Sequence, residues 1–126
     1  MKWIINRKSL TDMDQSRIYR RIHFLRELGN AGGRQRKNMI RNITEAEMEA
    51  ISLIARYIVN GSIVLLQRDY NIFRRNRDVF RQLMNPIISL TRRKNNLLTH
   101  HHLLPKLLRE YYIDLSIIME IRAPED

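Results

Sequence analysis

Three short basic segments of this sequence are suited to contact with phosphate groups. The guanidinium group of arginine is a planar fork that donates two parallel hydrogen bonds to a phosphate, and it can also stack on a nucleobase. In one segment Arg74, Arg77 and Arg81 follow the i, i+3, i+7 spacing that places side chains on one face of a helix. The candidate phosphate-binding residues are Arg34, Arg36, Lys37, Arg74, Arg75, Arg77, Arg81, Arg92, Arg93 and Lys94.

The overall charge favours the same chemistry. The 126 residues include 23 Lys and Arg against 13 Asp and Glu, which gives a formal net charge of +10. Only five of the 23 are lysine, so arginine dominates. A small protein with this balance is expected to bind a polyanion such as DNA, RNA or anionic lipid. The alternative is a protein that simply carries excess positive charge on its surface.

The run His100-His101-His102 raises the possibility of a metal site. Three consecutive side chains of a helix point about 100° apart and cannot converge on one ion. In an extended segment His100 and His102 share a side, but the sequence has no cysteine and no carboxylate close by to complete the ligand set. We therefore expect no metal and no cofactor, and interpret the histidines as a helix cap or a phosphate-facing patch.

Residue patterns typical of catalysis are not found. Glu45, Glu47 and Glu49 resemble paired catalytic carboxylates, but their position at the start of a predicted helix is explained by the positive end of the helix dipole. No serine lies in a GxSxG motif, and the glycines at 32–33 are not followed by the GK[ST] of a phosphate-binding loop. We expect a protein that is not an enzyme.

Helix caps and apolar spacing predict the elements that carry the basic segments. Thr44 and Glu47 form a capping box, and Thr11 with Asp14 resembles a second one. The motifs at 29–30, 60–61 and 85–86 combine residues that end helices. The sequence therefore predicts an all-α fold, a small bundle of four main helices over 12–28, 44–59, 67–84 and from about 102 to 121.

The predicted organisation is a single domain. Residues 1–11 are expected to form a flexible N-terminal arm, residues 12–121 the helical domain, and residues 122–126 a frayed acidic tail. The basic stretch after the glycines at 32–33 is interpreted as a hinge or a short helix. A helix-turn-helix over 44–81 is an alternative, but its connection at 61–66 is long and apolar for a tight turn.

The order of features along the chain resembles a known group of proteins. Its landmarks here are 22–28, the basic stretch 34–41, the helix end at 60–63, the arginine-rich 73–75 and 81–83, and the basic-to-apolar stretch 90–98. Over residues 22–110 the chain resembles short basic proteins of adintovirus-like, Polinton-type DNA elements of invertebrates. In that group Gly-Gly-Phe-Leu typically follows the last landmark, where this chain has residues 99–104. The resemblance implies a virus- or transposon-derived, virion-associated protein that condenses packaged DNA, and it implies no catalytic residues.

The leading hypothesis is a non-enzymatic protein that binds the DNA phosphate backbone. Duplex DNA is favoured over RNA, because single-strand readers usually expose aromatic side chains on a sheet and no sheet is predicted. The sequence shows no signal peptide and no apolar run of about 20 residues that could span a bilayer. We expect an intracellular protein of the nucleus or the virion.

The competing hypothesis is a structural or interaction protein. In it, the apolar stripes at 48–58 and 104–119 mate with another helical surface or with a second copy, as in a homo-oligomer. The basic surface then meets an acidic protein or an anionic membrane.

Overall fold

The computed structural model describes residues 12–59 and 67–109, and within these ranges the chain is helical and contains no strand. This confirms the predicted all-α class, although the described residues form seven shorter helices where four main helices were predicted. They are α1 Asp12–Arg20, α2 Ile22–Asn30, α3 Gly33–Arg41, α4 Glu45–Val59, α5 Gln67–Arg75, α6 Arg77–Met84 and α7 Leu90–Thr99. A 3-10 turn at His101–Leu103 and a π-helical turn at Pro105–Arg109 follow.

Helix α4 is the central element of the core. Its start is the predicted capping box: the Glu47 amide donates to Thr44 Oγ1 at 3.2 Å, and the Thr44 amide donates to Glu47 Oε1 at 3.0 Å. Buried side chains follow on nearly every side of the helix, from Met48 through Ile51 to Tyr57. The helix packs against α1, α6 and α7, which confirms that it is largely buried.

The predicted helix 12–28 is two helices. The chain leaves helical geometry at Arg21, with φ −109° and ψ 17°, and the Arg21 amide donates to the Ile18 carbonyl at 3.0 Å. Ile18 and Leu25, one on each side of the break, are both buried, as their spacing predicted. Since the apolar spacing continues through Arg21, the sequence pattern contains no sign of the break.

The predicted helix 67–84 is also divided, at Asn76. The Asn76 side-chain amide donates to the Ile72 carbonyl at 2.8 Å and its backbone leaves helical geometry at φ −108° and ψ 25°. The rings of Phe73 and Phe80 lie 4.8 Å apart, whereas seven residues of straight helix rise roughly 10 Å. The helix axis therefore bends at Asn76 and brings the two rings together in the core.

Helix α7 was missed by the sequence analysis, which treated 91–94 only as a basic cluster. Ser89 caps it, because its Oγ accepts a hydrogen bond from the Arg92 amide at 3.2 Å. The helix predicted from about residue 102 begins instead as the 3-10 and π-helical turns, with Leu104 and Leu108 buried against the core. The turn at 105–109 packs on α2.

Several predictions fall on parts of the chain outside the described residues. They are the N-terminal arm at 1–11, the connection at 61–66 and the end of the last helix with its acidic tail at 110–126. In the ranges that are described, no helix combines the length and the apolar character needed to cross a bilayer.

Candidate nucleic-acid interface

The ten predicted phosphate-binding residues fall into three classes by exposure. Arg93 and Lys94 are half-buried, and Arg36 is buried. The exposed residues are Arg34, Lys37, Arg74, Arg75, Arg77, Arg81 and Arg92. Seven of the ten therefore present their charged groups to solvent.

Helix α7 joins the helices that carry the three basic segments. Lys94 Nζ donates to the Arg41 carbonyl at the end of α3, at 3.1 Å. Asn96 Nδ2 donates to the Val79 carbonyl of α6, also at 3.1 Å. The segments around 34–41, 77–81 and 92–94 therefore lie on neighbouring helices, although up to about 60 positions separate them in the sequence.

Arg93 and Lys94 serve this packing as well as adding charge. Arg93 Nη1 donates to Ser52 Oγ of α4 at 3.2 Å. Its Nε is buried and has no hydrogen-bond partner among the described residues. Both side chains therefore bind α7 to its neighbours, and only part of each is available to a phosphate.

Arg36 forms hydrogen bonds within the protein. Its Nη1 donates to the Ala31 carbonyl at 2.6 Å, and its Nε donates to His101 Nδ1 at 3.1 Å. These bonds tie α3 to the connection before it and to the 3-10 turn. Because Arg36 is buried and its guanidinium group donates these two bonds, it is not available as the phosphate-binding residue that was predicted.

His101 accepts the Arg36 hydrogen bond in its neutral form. Burial lowers the pKa of His101 below its ordinary value, and the positive charges of Arg36, Lys37 and His102 lower this pKa further. A protonated imidazole has no lone pair at Nδ1 and cannot accept a hydrogen bond there. The contact between α3 and the 3-10 turn therefore depends on a neutral histidine.

The bend at Asn76 corrects the predicted arginine face. Arg74 and Arg75 belong to α5, whereas Arg77 and Arg81 belong to α6. All four are exposed, but they do not form one continuous helical stripe. They lie on both sides of a bend.

Acidic residues are unevenly distributed among the described helices. Helices α3 and α7 contain none, and α6 contains only Asp78. Helix α4 contains three glutamates in its first five residues. Arg17 of α1 lies 3.9 Å from Asp14 and 3.4 Å from Glu49. The basic charge of α3 and α7 is therefore not offset within those helices, whereas that of α1 is.

Arg41 is a further exposed basic residue that the predicted site left out. It lies in the last turn of α3, one helical turn after Lys37, next to the carbonyl that accepts the Lys94 bond. The stretch after the glycines was predicted to be a hinge or a short helix, and it is the helix α3. In a helix, the i, i+4 spacing places Arg41 beside Lys37. We define the basic surface as Arg34, Lys37, Arg41, Arg74, Arg75, Arg77, Arg81 and Arg92.

Two further features of the sequence were candidates for binding: the possible metal ligands and the apolar stripe of α4. Within the two described ranges, no group of three His, Asp or Glu side chains is arranged to hold a metal ion. The apolar stripe of α4, with Met48, Ile51 and Ala55, is buried by the chain itself. That stripe is therefore not open to a partner, contrary to the requirement of the competing hypothesis.

No protein-family model matches this chain, and neither a curated protein nor a solved structure does.

Proposed function

We propose that this protein is a non-enzymatic DNA-binding protein that contacts the phosphate backbone through its basic surface. The observation that carries the proposal is the grouping of exposed arginines and lysines on α3, α6 and α7. Helices α3 and α6 each pack on α7, and the three helices together contain a single acidic residue, Asp78. Arginine is well suited to this role because its fork matches the geometry of a phosphate.

Counterion release supplies the binding energy in this proposal. Each phosphate neutralised by a basic side chain releases condensed cations, so the logarithm of the binding constant falls by about 0.9 per contact for each tenfold rise in salt. A protein that makes about 6–10 such contacts loses roughly 10³–10⁵ in affinity between about 50 and 200 mM salt. The eight residues of the basic surface are in this range if all reach phosphates.

Two aromatic residues of the arginine-rich helices favour contacts to the backbone over base stacking. Phe73 of α5 and Phe80 of α6 are buried, and their rings contact each other with planes tilted by 56°. Recognition of single strands usually requires exposed aromatic side chains on which bases stack. Duplex DNA, bound with little sequence preference, is therefore the proposed ligand.

The resemblance to virion-associated proteins of Polinton-type elements extends the proposal to a biological role. A compact basic protein that binds duplexes without sequence preference neutralises DNA and allows it to be packed densely. We place the protein in the nucleus or the virion, where it packages or condenses DNA of viral or transposon origin.

Two charge-matched triple variants test the basic surface. The first replaces Arg77, Arg81 and Arg92 with Ala, and the control replaces Arg17, Arg20 and Arg21 of the α1–α2 region with Ala. Both lower the net charge by the same amount. Binding to a fluorescent duplex is measured by anisotropy at several salt concentrations. The first variant should lower the salt slope by roughly 2.7 units, at roughly 0.9 per contact, and the control should leave it close to that of the wild type.

Equal slopes for the two variants would show that net charge alone drives binding and would remove the basic surface from the proposal. Absence of duplex binding near about 50 mM salt, where backbone contacts are strong, would overturn DNA binding altogether. Binding to anionic vesicles without binding to DNA would favour the interaction hypothesis.

A further inference from the structure

The turn between α6 and α7 exposes an isoleucine. Ile87 is 90% exposed, the largest value among the exposed large apolar residues of the described chain. The next in order, Met13 at 64%, lies on α1. An exposed apolar side chain is ordinary on a protein surface, so the surroundings of Ile87 decide whether it has a role.

The backbone of this turn is held in one conformation. The Ile87 amide donates to Asn85 Oδ1 at 3.0 Å, and the Ile88 amide donates to the Asn85 carbonyl at 3.2 Å. Pro86, whose ring fixes its φ angle, lies between Asn85 and Ile87 in this turn. Ser89 then caps α7 through the Arg92 amide. Ile87 therefore projects from a hydrogen-bonded turn.

Exposed arginines flank the turn on both sides. Arg81 lies in the last turn of α6, and Arg92 lies in the first turn of α7. The two helices pack against each other. Along the chain, the turn that carries Ile87 therefore lies between two exposed arginines of the proposed phosphate-binding surface.

We propose that Ile87 is a wedge that enters a base step of duplex DNA while the flanking arginines hold the phosphates. This inference rests on the proposed DNA binding. Isoleucine is one of the apolar residues that proteins insert between base pairs, where it partly unstacks the step and kinks the duplex by roughly 20–90°. A protein that kinks DNA in this way promotes the compaction required for packaging.

A duplex fits this geometry better than a membrane does. Membrane binding grows with the apolar area that is buried, and this turn offers little more than Pro86 and Ile87. A single apolar side chain is sufficient to open one base step. Flexible steps such as TA open at the lowest cost, so the side chain is expected to enter such steps most readily within a duplex that the basic surface binds with little sequence preference.

The test uses a duplex of about 30 bp, well below the DNA persistence length of about 150 bp. It carries a fluorescence donor and acceptor at its ends and 2-aminopurine beside a central TA step. The full-length protein is compared with Ile87→Ala and with the matched control Met13→Ala, which removes an exposed apolar side chain from α1. Anisotropy reports binding in the same samples, and circular dichroism verifies that each variant is folded.

The wild type and Met13→Ala should raise energy transfer and 2-aminopurine fluorescence. Ile87→Ala should bind with an affinity within about tenfold of the wild type, at most the cost of one side chain, and should lose most of both signals. Ile87→Phe should keep them.

Three outcomes would overturn the wedge. Equal bending by Ile87→Ala and the wild type, or binding of the wild type without bending, would remove the wedge and leave backbone binding intact. Absence of duplex binding by the wild type at low salt would overturn the proposed function together with the wedge. Binding to anionic vesicles that requires Ile87, without bending of DNA, would assign the turn to a membrane surface.

Discussion

Helices α4 and α7 differ in how they use charge. Helix α4 begins with three glutamates, one of which closes its capping box, and its middle is buried among apolar side chains. Helix α7 contains two arginines and one lysine, no acid, and one fully buried side chain, Leu97. The glutamates of α4 lie at its own N-terminus, where Glu47 closes the cap. In α7, Arg92 is exposed, and Arg93 and Lys94 donate hydrogen bonds to neighbouring helices.

Basic residues next to α4 and next to α7 also differ in whether carboxylates lie close to them. Beside α4, Arg17 of α1 lies between two carboxylates. Beside α7, the exposed Arg34 and Lys37 belong to a helix that contains no acid. Helix α4 therefore contributes mainly to the core, whereas α3 and α7 combine packing contacts with the exposed positive charge proposed for DNA.

The largest expected effect is on the core that α4 shares with α6. Phe80 is buried and its ring centre lies 4.8 Å from that of Phe73, so Phe80→Ala should lower the free energy of unfolding by about 3–5 kcal/mol. Urea denaturation followed by circular dichroism measures it. Phe80→Leu, which retains most of the apolar volume, is the control and should cost less. A loss below about 1 kcal/mol for the alanine variant would contradict the packing of α6 on α4.

Arg36 and Arg34 provide the sharpest contrast within the basic helix α3. Arg36→Ala removes the bonds to the Ala31 carbonyl and to His101, and should cost about 2–3 kcal/mol of stability without changing the salt slope of DNA binding. Arg34→Ala, at an exposed position, should change stability by less than about 0.5 kcal/mol. It should lower the slope by about 0.9 units.

Urea denaturation and salt-dependent anisotropy measure both variants. If Arg36→Ala were as stable as the wild type and had a smaller salt slope of DNA binding, Arg36 would be a phosphate-binding residue and not a structural one.

The caps of the two helices are expected to make comparable contributions. Thr44→Ala removes the acceptor for the Glu47 amide, and Ser89→Ala removes the acceptor for the Arg92 amide. Each should cost about 1 kcal/mol, measured by thermal or urea denaturation. Thr44→Ser and Ser89→Thr preserve the acceptor and serve as controls. A cap variant as stable as the wild type would indicate that its helix starts elsewhere.

The smallest effect is a dependence on pH at the contact between α3 and the 3-10 turn. The pKa of His101 is lowered in the folded state, mainly by burial, from an ordinary value of 6.5. The unfolded chain therefore binds the proton more readily. The contribution of neutral His101 to the free energy of unfolding should be fully present above pH 6.5. It should decrease as the pH falls from 6.5 through the lowered pKa of the folded state.

Comparison of the wild type with His101→Gln isolates this contribution, because glutamine can still accept from Arg36 but does not titrate. Unfolding free energies measured between about pH 7.5 and pH 5.5 cover the window below the ordinary histidine pKa. The wild type should lose more stability than the variant over this range. Parallel curves would show that His101 does not hold the contact.

Local interactions explain which features were predictable from the sequence. The capping box of Thr44 and Glu47 spans four residues, and the buried Ile18 and Leu25 follow the helical period, so single-sequence patterns contain both. The all-α class follows from the same signals. The exposure of most of the arginines follows from the cost of burying a charge without a partner.

Tertiary structure decided the arrangement of the candidate site. Arg36 can be buried because two groups accept its hydrogen bonds: the Ala31 carbonyl and the imidazole of His101, which is 65 positions away in the sequence. Helix α7 joins α3 through the bond from Lys94 to Arg41, 53 positions away. Caps and helical periods act over a few residues, and these bonds form only after distant segments have packed. The sequence alone therefore determined which residues carry charge, and the packing determined which of those charges are exposed and which are buried.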